Sequence, residues 1–341
     1  LTIINSYPMK PTLHQFKILR IVAEEGSIAG AARRLHLTPP TLSIQLSQLA
    51  EALGFPLHEI SGRKLRLTGA GRDALETARR LDDELRLLEQ RLAARRGIER
   101  GRLSIAAVST AEYLLPDLLG RFRKAHPGIE ARLSIVPRKR LLTRLADGLD
   151  DAYLMTRMPA RDDLEVETVG LNPLVMIAAP EHPWVRQPDL TLAALGSESF
   201  VVRETASGTR WWTLRWLQHF GVRLKPALEL GSNEALKQAV MGGHGLAVIS
   251  LHAVLPELQA GRLALLRVPH FPVPVEWRLV RRRGRIETPA AAAFRAHLHE
   301  QMPALDRRMV EALNAHGLKL ERPADDLAAL LANDEAASRS V

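Results

Sequence analysis

The chain begins with a loose lead-in over residues 1–11 and then turns to helical periodicity. Phe16, Leu19, Ile21 and Val22 between Leu13 and Glu24 predict a first helix. The stretch Ser27–Leu53, SIAGAARRLHLTPPTLSIQLSQLAEAL, predicts two more, joined by a tight turn at His36-Leu37. Ala31, Ala32 and Leu35 give the shorter helix a small apolar face. Leu42, Leu46, Leu49 and Leu53 give the longer one a single buried stripe. Ser27 and Thr38 suit N-caps, and Pro39 falls at the first helical position, where its missing N–H costs nothing. The opposite face shows Thr41, Ser43, Ile44, Gln45 and Gln48, and these, with Ser27 and Thr38 at the two helix starts, are the candidate DNA contacts. A short helix presenting Gln and Thr, propped by a small-residue helix, is what a helix-turn-helix lays in the major groove.

Ser61-Gly62-Arg63-Lys64-Leu65-Arg66-Leu67 then predicts a glycine turn and a short basic strand. Such a wing suits phosphate or minor-groove contact through Arg63, Lys64 and Arg66. From Thr68, a cap candidate, a long helix runs to about Arg96. Ala74, Ala78, Leu81, Leu85, Leu88 and Leu92 form a heptad seam along it. That seam predicts a subunit contact; packing within its own domain is the alternative. Arg95–Gly101, polar with two glycines, predicts a hinge.

Beyond the hinge the rhythm becomes α/β. Strands are expected at 103–108, 129–136, 152–155, 174–178, 200–202, 227–230, 246–249 and 275–280. Helices are expected at 114–124, 140–146, 209–220, 233–241 and 289–300. This order predicts parallel sheet in two lobes with crossovers near 169–172 and 268–271, the last strand and helix returning to the first lobe. Lobe I would span about 101–169 and 270–301, and lobe II about 170–268. Past Pro303, Leu305, Met309 and Leu313, then Leu327, Leu330 and Leu331, suggest two short helices in a 303–341 extension packed on the same subunit.

Charge and composition sharpen this. A formal net charge of +9 favours a polyanionic partner. The absence of cysteine excludes disulfides, thiolate zinc sites and a thiol redox sensor. No membrane span or secretory signal is visible, so a cytoplasmic protein is expected. There is no phosphate-binding Gly-rich loop with Lys-Ser or Lys-Thr, no GxSxG and no HExxH, so neither an enzyme nor a metal site is expected. His297 and His299, Asp150-Asp151, Asp162-Asp163 and Arg281-Arg282-Arg283 with Arg285 read as solvated groups.

Residues 12–71 resemble the winged helix of LysR-type transcriptional regulators along their whole length. Pro39 stands where that family usually has Gln, Ile44 where Arg or His is frequent, Ala50 where Glu is frequent, and His58 in place of Phe. The stretch beginning PRKRLLTRLADG at Pro137 is similar to regulators of carbon-dioxide-fixation (RuBisCO, Calvin-cycle) operons. So are NPLVMIAAPEHPW at 172–184, RETASGTRW at 203–211 and ELGSNEALKQAV at 229–240. The resemblance, over about residues 12–300, implies an α-rich winged helix-turn-helix (12–71) and a linker helix (68–96) that dimerises through Leu81, Leu85, Leu88 and Leu92. It also implies a two-lobed α/β effector domain (101–301) like periplasmic binding proteins. Implied partners are promoter DNA with paired half-sites, further copies of the chain as a dimer of dimers, an anionic metabolite and RNA polymerase; no resident cofactor is implied. The resemblance points to a phosphorylated metabolite or an NADPH-like nucleotide as effector.

Hydroxyls at helix starts after strands locate a candidate effector site: Ser109-Thr110, Ser207 with Thr209, and Ser232. Arg203 and Arg210 are the expected charge partners. Ser and Thr also cap helices with no ligand involved. Two other functions remain open at this point. One is a LysR-type regulator of another pathway. The other is a two-lobed binding protein or enzyme with a structural helical N-terminus.

Overall fold

A computed structural model describes residues 10–61, 64–95, 101–187 and 190–321. The chain divides into two compact units, Leu1–Arg96 and Gly97–Val341. The first holds helices α1 (Leu13–Glu25), α2 (Ile28–Leu35) and α3 (Pro39–Leu53), the hairpin β1 (His58–Ser61) and β2 (Lys64–Leu67), and helix α4 (Gly69–Arg95). Ile18, Leu19, Val22, Ala31, Leu42, Leu46, Leu49 and Leu57 make its core. His36 takes a left-handed φ of 55° to turn α2 into α3. The Thr68 hydroxyl accepts from Gly71 N–H at 3.0 Å and opens α4. The seam on α4 divides in two. Ala74 and Ala78 are buried where α4 packs on α1, whereas Leu85, Leu88 and Leu92 are exposed. Its first part therefore follows the intradomain alternative and its second part stands bare. The expected hinge, apart from its end residues, lies outside the described residues.

The second unit starts with β3 (Gly101–Val108), α5 (Leu115–Ala125), β4 (Ile129–Val136), α6 (Arg138–Ala146), β5 (Ala152–Met155) and β6 (Leu164–Leu171). Lobe II follows with β7 (Leu174–Ala178), β8 (Ser199–Arg203), α7 (Gly208–His219), β9 (Lys225–Leu230), α8 (Asn233–Met241), β10 (Ala247–Ser250), α9 (Leu255–Gln259) and β11 (Ala264–Leu265). The chain returns through β12 (Glu276–Arg282) and ends in α10 (Pro289–Ala315).

Lobe I is a five-stranded sheet in the order β4-β3-β5-β12-β6. It is mixed rather than parallel. β3 runs parallel to β4 and β5, but β12 re-enters from lobe II against the direction of both β5 and β6. One sheet face, with Ile105, Ala107, Leu154 and Leu279, packs on α5 and α10. The other, with Ala106, Tyr153, Met155 and Val280, packs around Leu141 and Leu145 of α6. Lobe II pairs an antiparallel sheet, β10-β7-β11, with the parallel pair β8-β9. Successive residues of β7 point to opposite faces, so Leu174, Met176 and Ala178 enter one core and Val175 and Ile177 the other.

Two expectations are corrected here. The return crossover lies nearer 275 than 268–271, because Phe271, Val273 and Val275 belong to the lobe II core and Asn172 N–H donates to the Val275 carbonyl at 2.7 Å. And α10 does not stop near residue 300. It is one 27-residue helix with Pro303 inside it, so Leu305, Met309 and Leu313 continue its stripe and form no separate helix. A proline inside a helix costs about 3 kcal/mol, which is why it reads as a stop. Here the burial of Met309 and Leu313 offsets that cost. Leu327, Leu330 and Leu331 lie outside the described residues. Among the described residues no helix is long and apolar enough to cross a membrane.

Candidate functional site

The DNA-reading candidates sit on α3 and the hairpin. Leu42, Leu46 and Leu49 anchor α3 with no exposed surface, which turns Thr41, Ile44 and Ser47 outward and leaves Ser43, Gln45 and Gln48 half-buried at the edges. Gln15 of α1 donates its side-chain N–H to Gln48 Oε1 at 3.4 Å and so orients that amide. Ser27 and Thr38 are structural caps: Ser27 Oγ accepts from Gly30 N–H at 3.1 Å, and Thr38 Oγ1 from Thr41 N–H at 3.4 Å. In the hairpin, His58 pairs with Leu67 and Ser61 with Lys64. Arg66 is exposed on β2, while Arg63 lies outside the described residues.

The second candidate site is a cleft in the other unit. Its walls are Val108, Ser109, Thr110, Arg138, Thr156, Arg157, Glu204, Ser207, Gly208 and Thr209, around about 340 Å3 of space including its open mouth. The first six come from lobe I and the last four from lobe II. Four expected residues meet there: Ser109, Thr110, Ser207 and Thr209. Ser207 caps α7, its Oγ accepting from Arg210 N–H at 3.4 Å, and so faces the first turn of that helix toward the cleft. Gly208 allows the lobes to approach closely, since a Cβ there would lie 3.1 Å from Thr156 Oγ1.

Three expected residues do other work. Arg203, only 2% exposed, donates to both Glu204 oxygens (2.9 and 3.1 Å), to Ser109 Oγ at 3.3 Å and to Asn233 Oδ1. It neutralises the carboxylate on the cleft wall and ties lobe I to lobe II. Arg210 turns to Glu229 Oε2 at 2.5 Å and the Arg203 carbonyl at 2.9 Å. Ser232 caps α8 through Ala235 N–H at 3.1 Å and is not among the cleft walls.

The cleft's own cations are Arg138 and Arg157. Arg138, 9% exposed at the start of α6, donates to the carbonyls of Arg157 and Met158. The Arg157 guanidinium lies 4.5 Å from the ring centre of Trp211 on α7.

The groups read as solvated are corrected in part. Asp150 is buried, taking two hydrogen bonds from Arg144 (2.8 and 2.7 Å) and one from Ser104 Oγ at 2.7 Å. Asp151 accepts from Ser104 N–H at 2.7 Å. His297 is buried with Nε2 3.1 Å from the Leu118 carbonyl. Arg281 and Arg282 lie in β12, where Arg281 pairs with Glu165 at 3.0 Å and Glu287 at 2.7 Å. Burial of charge is invisible in sequence when the partners are far apart along the chain.

Comparison with known proteins bears on both sites. Residues 13–72 match the family model "Bacterial regulatory helix-turn-helix protein, lysR family", and residues 96–303 match "LysR substrate binding domain". The chain belongs to the LysR family. Among relatives of this LysR-family regulator, the RuBisCO operon transcriptional regulator of Acidithiobacillus ferrooxidans is 42% identical over 287 residues, 84% of this chain and 93% of that protein. The HTH-type transcriptional activator CmpR of Synechocystis is 37% identical over 287 residues, 84% of this chain and 94% of its own. The regulatory domain of Synechocystis CcmR, solved in complex with 2-PG, is 34% identical with a TM-score of 0.57 and covers 60% of this chain and 98% of its own. A full-length OxyR variant from Pseudomonas aeruginosa shares the fold with a TM-score of 0.68 at 20% identity, over 85% of this chain and 98% of its own.

In this LysR-family regulator the cleft residues that sequence reasoning missed include Arg138, Thr156 and Arg157. They lie at a helix start and just after a buried strand, where Ser or Thr capping logic does not look. A signal existed: Pro137 before Arg138, and a polar Thr-Arg pair directly after the buried run Ala152–Met155, mark the carboxyl ends of β4 and β5, the two strands that flank β3.

Proposed function

We propose that this LysR-family regulator controls carbon-fixation genes in the cytoplasm and answers to a small phosphorylated acid held in the inter-lobe cleft. The observation that carries this is the cleft itself. It sets Ser207, Thr209 and the first turn of α7 opposite Thr110 and Arg138. Helix-end N–H groups and hydroxyls suit a phosphate, and a guanidinium suits a phosphate or carboxylate through parallel hydrogen bonds. The 2-PG held by the CcmR regulatory domain is an acid of this kind. The space between the walls, even with the open mouth counted, leaves little room for an NADPH-like dinucleotide, which favours the smaller metabolite.

On the DNA side, Thr41, Ser43, Ile44, Gln45 and Gln48 read bases, and Arg63, Lys64 and Arg66 hold phosphates. Leu81, Leu85, Leu88 and Leu92 join two copies, and pairs of dimers occupy paired half-sites. The effector shifts the populations of lobe arrangements and thereby the spacing of the DNA modules offered to RNA polymerase.

The test is calorimetry of the full chain with 2-phosphoglycolate, glycolate and a neutral sugar, followed by footprinting on the promoter of a carbon-fixation operon. Tight binding of 2-phosphoglycolate with an altered footprint is expected. Binding of the neutral sugar alone would overturn the reading.

A further inference from the structure

The second half of α10 lies beyond the part of the chain that the family model matches, which ends at residue 303. Its contacts change owner along its length. Phe294, Leu298, Met302 and Leu305 lie in the lobe I core with Ile105, Leu154 and Trp277. Met309 and Leu313, with Leu318 just after the helix, lie in the lobe II core against Val175, Ile177, Ala247 and Ile249. One stripe, at steps of four, four, three, four and four, serves two lobes.

The changeover falls on a crossover. Asp306 sits between the two sets and accepts from the Leu171 N–H at 2.8 Å, where β6 ends and the chain leaves for lobe II. The helix lies close to bare backbone there: a Cβ on Gly170 would lie 2.2 Å from Met302 Cε and 3.0 Å from Asp306 Oδ1. On the same crossover, His252 of lobe II places Nε2 3.0 Å from the Leu171 carbonyl. After the helix, Arg267 of lobe II donates to the His316 carbonyl at 3.2 Å.

We propose that residues 304–321 are a strap that positions lobe II against lobe I and limits how far the effector cleft can swing. A helix is a stiff rod, and this one is embedded in both cores. Rotation of one lobe about the crossovers must pull Met309 and Leu313 out of apolar contact or bend the rod at Pro303, its weak point. The strap holds the lobes in the arrangement in which Ser109 and Thr110 face Ser207 and Thr209. The strap thus sets the fraction of molecules that are binding-competent before the effector arrives, and the effector draws over the remainder.

The chain has no cysteine, so spin labels can be placed cleanly. Lys124→Cys on lobe I and Glu181→Cys on lobe II are both exposed. Their separation is measured by pulsed electron resonance in full-length protein diluted with unlabelled chains. The parent is expected to give one narrow distance distribution without any ligand. Asp306→Ala is expected to broaden it, and Asp306→Ala with Leu313→Ala to broaden it further. If the double variant fails to melt cooperatively, Asp306→Ala alone decides. A distribution as narrow as the parent's in a folded variant overturns the strap. Titration with 2-phosphoglycolate on the same samples is expected to show affinity at least threefold weaker in Asp306→Ala. If the parent itself does not bind 2-phosphoglycolate, the effector reading fails while the ligand-free distances still decide the strap.

Discussion

Arg138→Gln removes the charge that, on the proposed reading, meets the acid. The side chain is buried, and it donates to the carbonyls of Arg157 and Met158 in lobe I. A hydrogen bond to a charged group is worth about 1.5–3 kcal/mol, and about 1.4 kcal/mol is a factor of ten. Loss of one charge-assisted contact should therefore weaken 2-phosphoglycolate binding roughly 10- to 150-fold. The substitution also acts on stability, because a buried carbonyl left without its donor costs about 1–3 kcal/mol. Glutamine can still reach one of the two, so a drop of only a few degrees in Tm is expected. Arg138→Lys keeps the charge and loses the planar fork, and should fall between parent and Arg138→Gln. Calorimetry measures the affinity, and thermal melting checks the fold. An Arg138→Gln protein that melts like the parent and binds 2-phosphoglycolate equally well would refute the assignment of Arg138 as the anion's partner.

Gln45→Ala should lose about 1–3 kcal/mol of discrimination between operator and random DNA, the worth of one bidentate base contact, with non-specific binding and its salt slope retained. Competition gel shifts at several salt concentrations read both. Leu85→Glu puts a charge into the bare part of the α4 stripe and should shift sedimentation to a smaller species while the effector unit keeps its melting transition; parental size would count against the seam. His252 gives a pH dependence. Burial holds its imidazole below the ordinary 6.5; the hydrogen bond with the Leu171 carbonyl opposes this, and the Arg308 charge adds to it. The unfolded chain thus takes up the proton first. The stability is full above about pH 6.5 and declines as pH falls through the window beneath it, by up to about 1.4 kcal/mol per pH unit. Denaturant melts at pH 7.5 and 5.5 should show a smaller difference in His252→Asn than in the parent.

Local pattern carried much of the fold. The α3 stripe, the Thr38 cap and the strands Ile129–Val136 and Ala152–Met155 depend on neighbours a few residues away, and the structure has them where periodicity and capping place them. What local pattern could not carry was partnership across the chain. Asp150 looked solvated because Arg144 and Ser104 reach it from a helix and a distant strand. Arg203 looked available to a ligand because nothing in the sequence shows that its neighbour Glu204 and the remote Asn233 already occupy it. Pro303 was read by its general habit, although the stripe through Leu298, Met302, Leu305, Met309 and Leu313 runs straight past it. In the cleft, the hydroxyls were visible as caps. The guanidiniums were not, since Arg138 becomes a cleft residue only when α6 and β5 are laid side by side.

The first turn of α3 has a consequence for how the protein stands on DNA. A helix start ordinarily presents unpaired N–H groups that can grip a backbone phosphate. Here Pro39 and Pro40 occupy the first two positions and carry no N–H, and the third, Thr41, gives its N–H to Thr38. The start of the proposed reading helix is therefore blunt toward phosphate. On the proposed reading its grip on the backbone must come from outside α3, and its outer surface adds an apolar contact, Ile44 at 56% exposure, beside the polar Gln and Thr side chains. Orientation and reading would then fall to separate parts of the module. A Pro40→Ala chain, with one donor restored, would hold any DNA more firmly and tell sequences apart less well.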